Sequence, residues 1–200
     1  MTAASTTPRT PPRIPPLNPP YEPHIKTMLD KWMPPDTAVE PLALFRTFGV
    51  HDELFSRMLP LGSGLLGHGR VEPRLRELVI HRTCALCGAE YEWGVHAVTF
   101  GSPLGMTDGQ LFSTVHGSAD DPVWSQREAL VFRLTDAVHA TSGISDELFT
   151  ELATHFTPDQ ILELVITAGW YRTISYVINV AGVELEPWAA RFPSANRSTT

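Results

Sequence analysis

Between Arg76 and His96 the chain concentrates side chains able to do chemistry: Glu77, His81, Cys84, Cys87, Glu90, Tyr91, Glu92, Trp93 and His96 stand among Leu, Val, Ile and Ala. Reactive groups on so apolar a segment either face solvent or line a pocket. If the stretch is helical, Glu92 and His96 form an i,i+4 pair that meets, and Cys84 and Cys87 put both sulfurs on one face. His81 then lies one turn from both Glu77 and Cys84. Two chemistries are open. Acids, a phenol and an imidazole are the equipment of proton transfer, because a neighbouring carboxylate orients a histidine and favours its protonated form. A C-x-x-C pair is the equipment of thiol redox, provided that one thiol ionises.

Each residue also has an ordinary structural reading. His96 could be a packed core histidine, Glu92 an acid on a solvated helix face, and Glu77 a member of a surface ion-pair network with Arg74 and Arg76. Tyr91 and Trp93 suit a core or an interface, and Cys84 and Cys87 behave equally well as small buried hydrophobes. The other histidines, His51, His68, His116, His139 and His155, have no partners at informative spacing. A structural zinc would need two more ligands beside the cysteines. His81 and His96 are the only nominees, so no metal is expected.

The elements that must position these groups read as helices. Leu42, Leu44, Phe45 and Phe48, then Leu54, Phe55, Met58 and Leu59, recur at three- and four-residue steps, an amphipathic pair broken near Gly49. Gly62, Gly64, Gly67 and Gly69 predict a loop or a loosened helix end. A further helix starts at Pro73. Thr107 with Gln110 and Thr157 with Gln160 have capping-box spacing, and Trp124 and Ser145 each precede an apolar helical run. A long apolar helix covers Ile161 to about Val180, where Trp170, Tyr171 and Tyr176 could wall a pocket. No stretch sustains period-two alternation between hairpin turns, so the fold class is all-α. The string Glu77-Leu78-Val79-Ile80 returns as Glu163-Leu164-Val165-Ile166, an echo that two related helical hairpins would produce.

Composition bounds the rest. Two hundred residues with 42% hydrophobic content suffice for one core, expected over residues 25–190. Residues 1–24, with eight prolines, predict an extended or disordered arm, and residues 191–200 a frayed tail. A net charge of −7 without a basic cluster argues against nucleic acid or an anionic membrane and for a small-molecule partner. The absence of a secretory pattern or a long apolar run leads to the expectation of a soluble, cytoplasmic protein.

Arg76-Glu77-Leu78 followed by Glu90-Tyr91-Glu92-Trp93-x-x-His96 and then Gly105 resembles the carboxymuconolactone decarboxylase family, which includes the alkylhydroperoxidase D type enzymes. The likeness spans residues 40–185. It implies a compact multi-helix alkylhydroperoxidase D-like fold and assembly into trimers or hexamers. Setting the family's peroxidase pattern on His96 places its glutamate on Glu77, its two cysteines on Ala89 and Glu92, and its middle histidine on Tyr91. Both in-register thiols are therefore absent, and Cys84 and Cys87 lie five residues too early. The resemblance thus implies cofactor-independent acid/base chemistry, decarboxylation or a related proton transfer, on a small carboxylated or carbonyl substrate. Glu77, Tyr91, Glu92 and His96 would be the catalytic set, with Trp93 and His81 binding substrate. The alternatives are a thiol peroxidase or disulfide reductase using Cys84 and Cys87, and a ligand-binding protein that has lost the reaction.

Overall fold

Three helices begin on a proline at the first helical position, where the missing N–H costs nothing and the fixed φ suits the helix. They are α1 (Pro23–Asp30), α4 (Pro73–Leu86) and α9 (Pro158–Ala181). A computed structural model describes residues 11–33 and 40–195. Between the three lie α2 (Ala43–Phe48), α3 (Asp52–Gly67), α5 (Glu90–His96), α6 (Asp108–His116), α7 (Gln126–Thr141) and α8 (Asp146–Ala153). The described residues contain no strand, as the missing two-residue period requires. Both expected capping boxes form, with the Gln110 and Gln160 side chains each accepting a backbone N–H at 3.1 Å. A third, Ser125 with Glu128, has the same spacing and starts α7.

Helix α4 is the hub, packed on α5, α6, α7 and α9. Its Leu78 and Val79 meet Leu130, Val131, Phe132 and Leu134 of α7 and Leu164 of α9 in the main core. Each such side chain contributes roughly 1.5–3 kcal/mol when fully buried. Glu163-Leu164-Val165-Ile166 does not repeat the environment of its echo. Val79 and Ile80 are fully buried, whereas Val165 and Ile166 are exposed.

Four expectations change. Gly62 and Gly64 do not begin a loop, because α3 runs on to Gly67. Gly62 serves packing within the helix, since a Cβ there would lie 3.0 Å from Trp32 and 3.1 Å from Trp170. The helix carrying the cysteines does not continue to His96. It stops at Cys87, Gly88 takes φ +63°, and α5 folds back on α4. The arm ends two residues early, at Glu22, because α1 starts at Pro23. Residues 11–22 form a strap whose Arg13 and Ile14 N–H groups donate to the Ala181 carbonyl at 2.8 and 3.1 Å. Residues 191–195 are tied down rather than frayed. Phe192 N–H donates to Glu90 at 2.8 Å, and His116 is hydrogen-bonded to the Pro193 carbonyl at 2.6 Å. The remainder of the expected arm and tail, residues 1–10 and 196–200, lies outside the described residues.

Candidate active site

The turn at Gly88 decides the site, because it lays the first turns of α5 beside the middle of α4. Ala89 N–H donates to the Cys84 carbonyl at 2.8 Å, closing the turn. Glu77 of α4 is thereby fully buried, with Oε2 2.7 Å from His96 Nδ1. On the other side of the ring, His96 Nε2 is 3.5 Å from Glu92 Oε1, the expected i,i+4 pair. Behind Glu77 stands the buried Arg76, 3.4 Å from Oε1, with its Nη1 donating to the Leu66 carbonyl at 2.8 Å. The order Arg76, Glu77, His96, Glu92 alternates in sign, so each charge is compensated by its neighbour.

This alternation sets the protonation states. Burial acts to lower the His96 imidazole, but Glu77 and Glu92 more than offset it and raise the group to about 9. Burial likewise pushes Glu77 up, and the charge and hydrogen bond of His96, with the charge of Arg76, bring it below the ordinary carboxylate range. At neutral pH the site therefore holds an imidazolium between carboxylates. His81, fully buried, goes the other way. Desolvation takes it down to about 4, so its neutral ring donates Nδ1–H to the Glu77 carbonyl at 2.7 Å. It stands edge-on to His96 at 6.4 Å and supports the ring from below. Beyond His96, the helix widens into a π-turn at Ala97–Gly101. A Cβ on Gly101 would approach the His81 ring to 3.2 Å.

His96 and Glu92 open on a cavity of about 640 Å³. Its walls are aromatic: Trp32, Phe45, Phe48, Phe100, Trp170, Tyr171 and Trp188, with Leu44, Leu66, Val95 and Ile174 between them. Lys31, exposed at its edge, is the one lysine or arginine among the lining residues. Phe100 and Tyr171 each place a ring centroid 5.0 Å from that of His96. The sequence offered Trp170 and Tyr171 as pocket walls, and both are. Tyr176, half-exposed further along α9, lines a separate cleft instead. Trp32, Phe45, Phe48, Phe100 and Trp188 were not singled out as pocket walls. Phe45 and Phe48 lie on an amphipathic stripe that reads equally well as core, and nothing in the local sequence marks Trp32, Phe100 or Trp188 as pocket walls.

The remaining expected site residues are not brought to the cavity. The Tyr91 hydroxyl donates to Glu186 at 2.7 Å and accepts from Leu44 N–H at 3.2 Å, so it ties α5 to α2 and to the chain after α9. Burial and the Glu186 charge push that phenol far up, which makes it a poor acid. Trp93 donates from Nε1 to the Thr114 hydroxyl at 3.0 Å and packs against Phe192. Neither lines the cavity, nor do Glu77 and His81, which act from behind His96. Cys84 and Cys87 are free thiols. Cys84 is fully buried beside Ser175, and desolvation followed by the charges of Glu92 and Glu77 pushes its thiol well above the ordinary range. Burial also raises Cys87. Among the described residues no group of three or more His, Cys, Asp or Glu side chains is arranged to hold a metal ion.

An all-helical chain with these helices around a buried Glu–His pair has the alkylhydroperoxidase D-like fold. Several solved structures share it. A peroxidase-related protein from Silicibacter, itself uncharacterized, matches over 94% of this chain and 100% of its own at a TM-score of 0.74 and 13% identity. A protein of unknown function from Agrobacterium tumefaciens, whose name suggests AhpD and antioxidant defence, covers 70% of this chain and 94% of its own, with TM-score 0.63 and 20% identity. A variant of the debrominase Bmp8 in complex with 2,3,4-tribromopyrrole covers 88% of this chain and 92% of its own, with TM-score 0.67 and 13% identity. No family model and no curated protein matches the sequence. At these identities the likeness is one of fold.

Proposed function

We propose that this protein is a carboxymuconolactone decarboxylase-like enzyme that transfers a proton to carbon in a small, planar, conjugated carbonyl or carboxylate compound. The carrying observation is the His96 imidazolium, held between Glu77 at 2.7 Å and Glu92 at 3.5 Å and opening on an aromatic cavity. In a decarboxylation the substrate C–C bond breaks, CO₂ leaves, and the bonding pair passes into the conjugated carbonyl. The His96 Nε2 proton then goes to the carbon that lost CO₂, and the ring is reprotonated from solvent by way of Glu92. His96 and Glu92 are the catalytic residues in this reading. Glu77 and Arg76, buried behind the ring, are positioning residues, because they hold the acid charged and aimed. The cavity presents flat, largely apolar walls, which strengthens the charges that face it. The same fold holds a tribromopyrrole in the debrominase, a planar ring of the size this cavity accepts.

The thiol reading is weaker on two counts. Cys84 lies outside the cavity lining, and its surroundings keep it protonated, whereas a peroxidase needs a thiolate. A ligand-binding protein that has lost the reaction would keep the same cavity, with Glu92 and His96 lining it and Glu77 behind them, and turnover is what separates it from an enzyme. The test is a turnover screen of lactone acids, β-keto acids and hydroperoxides on wild type beside His96→Ala and the Cys84→Ser/Cys87→Ser pair. Turnover of a keto or lactone acid that fails in His96→Ala and persists in the cysteine pair is expected. Peroxide consumption that needs the cysteines would overturn the proposal.

A further inference from the structure

A second cleft, between α4, α7 and α9, encloses about 410 Å³ and shares no lining residue with the aromatic cavity. One side of it is made of hydrogen-bond donors. Arg172 is fixed at two of its nitrogens, Nη1 donating to the His139 carbonyl at 2.8 Å and Nε to the Tyr176 hydroxyl at 2.5 Å. Its Nη2 has no acceptor within hydrogen-bond distance among the described residues. His139 has Nδ1 3.9 Å from the Cys87 sulfur, and in the tautomer that carries its hydrogen on Nε2 the ring is a further donor. Burial and the Arg172 charge hold that ring below its ordinary pKa, hence neutral at pH 7. Thr83, only 2% exposed, turns its hydroxyl to no protein partner. The neighbouring Thr135, by contrast, spends its hydroxyl on the Val131 carbonyl at 2.8 Å. Leaving a buried hydroxyl unpaired is costly, which points to a group that comes to it.

Ser142 adds a further donor where the backbone would prefer none. It closes α7 in the left-handed region at φ 60°, a place glycine usually takes, although Gly143 is next in sequence. No aspartate or glutamate lines the cleft. The nearby Asp136 is engaged by Arg82 at 2.6 Å. Next to Arg172 on the same face of α9, Val165, Ala168 and Gly169 give the cleft an apolar stretch. A fixed single positive charge, several donors and no acid select a monoanion with oxygen acceptors. The volume and the apolar stretch call for a hydrocarbon body behind it.

We propose that this cleft binds a small organic carboxylic acid, its carboxylate taken by Arg172, His139 and Thr83 and its apolar body laid on Val165 and Gly169. The site stands on its own residues and does not depend on the reaction assigned to the aromatic cavity. Amide NMR of the full-length protein titrated with benzoate tests it, with benzyl alcohol and inorganic phosphate as comparison ligands. Saturable shifts at residues 139–143 and 168–172 are expected for benzoate, with at least tenfold weaker binding of the other two. Arg172→Gln should weaken benzoate at least tenfold. Because Arg172 also braces the end of α7, Gly169→Met is the second variant. Nothing lies within 4 Å of the added Cβ, so the side chain fills the cleft while a helix interior prefers Met to Gly. Tenfold weakening there supports the site. Undiminished binding in Gly169→Met, phosphate binding as tightly as benzoate, or shifts confined to the surroundings of His96 would overturn it.

Discussion

Replacing Glu77 with Gln keeps the shape of the side chain and removes the charge that faces His96 Nδ1 at 2.7 Å. In the native site His96 is raised to about 9 although its burial works in the opposite direction. Relative to the ordinary value near 6.5, that difference corresponds to about 3 kcal/mol in favour of the imidazolium. Glu92 stays at 3.5 Å in the variant, so part of the support survives while burial meets less opposition. The His96 midpoint is therefore expected to fall by about two pH units, to ~7 or below. At pH 7.5 the ring would change from almost wholly protonated to roughly a quarter or less. The assay is an NMR titration of the His96 Cε1–H resonance from pH 5 to 10 in both proteins. Stability gives a second readout, and its sign is fixed. A group whose folded pKa is raised stabilises fully below its unfolded value and loses that contribution as pH rises through the folded value. Wild type should thus lose stability between about pH 6.5 and 9, and Glu77→Gln should lose less over that window. Absolute stability is less informative, because the variant leaves the buried Arg76 without its carboxylate, at a cost of about 3–5 kcal/mol. A His96 midpoint near 9 in Glu77→Gln, or near 6.5 in wild type, would refute the reasoning.

Other parts of the account can be checked separately. Cys84→Ala and Cys87→Ala should each retain turnover, with a stability loss of about 1 kcal/mol at the buried Cys84 in urea denaturation; loss of activity at normal stability would restore a role for the thiols. Gly62→Ala places a Cβ 3.0 Å from Trp32 and 3.1 Å from Trp170. Its helix propensity gain of about 1 kcal/mol offsets much of the strain. Calorimetric titration with a bulky aromatic carbonyl ligand should show about tenfold weaker binding at similar melting temperature, and unchanged affinity would remove Gly62 from the cavity wall. Gly94→Ala would set a Cβ 2.0 Å from the Ala190 carbonyl oxygen, backbone against backbone. It should cost on the order of 2–3 kcal/mol and strip exchange protection from the Ala190 and Phe192 amides; intact protection would show that the C-terminal segment adapts.

What could be read in advance was local. Glu92 and His96 are four apart on one helix, and Thr107 with Gln110 is a cap three apart, so fixed helical geometry delivers both contacts wherever the helix goes. Glu77, grouped with His96 by the family resemblance, is buried and faces the same histidine. Tyr91 and Trp93 escaped because their partners are remote. Glu186 lies 95 residues from Tyr91, and Thr114 lies 21 from Trp93; hydrogen bonding of the buried polar tips turned both side chains away from the cavity. The turn at Gly88 was hidden for a different reason, since a C-x-x-C within an apolar run keeps helical periodicity on both sides of the break. The aromatic wall gathers α2, α9, the π-turn and the segments that follow α1 and α9, and only tertiary packing reveals that Trp32 and Trp170 meet over the bare face of Gly62.

The central claim is that His96, charged between Glu77 and Glu92, delivers a proton to carbon inside the aromatic cavity. The most direct measurement runs the substrate found by the screen in D₂O and locates the label in the product by NMR and mass spectrometry. One deuteron per product at the carbon that lost CO₂, formed by wild type and lost at least a hundredfold in His96→Gln with binding retained, is the predicted result. Equal rates of label incorporation by wild type and His96→Gln would contradict it.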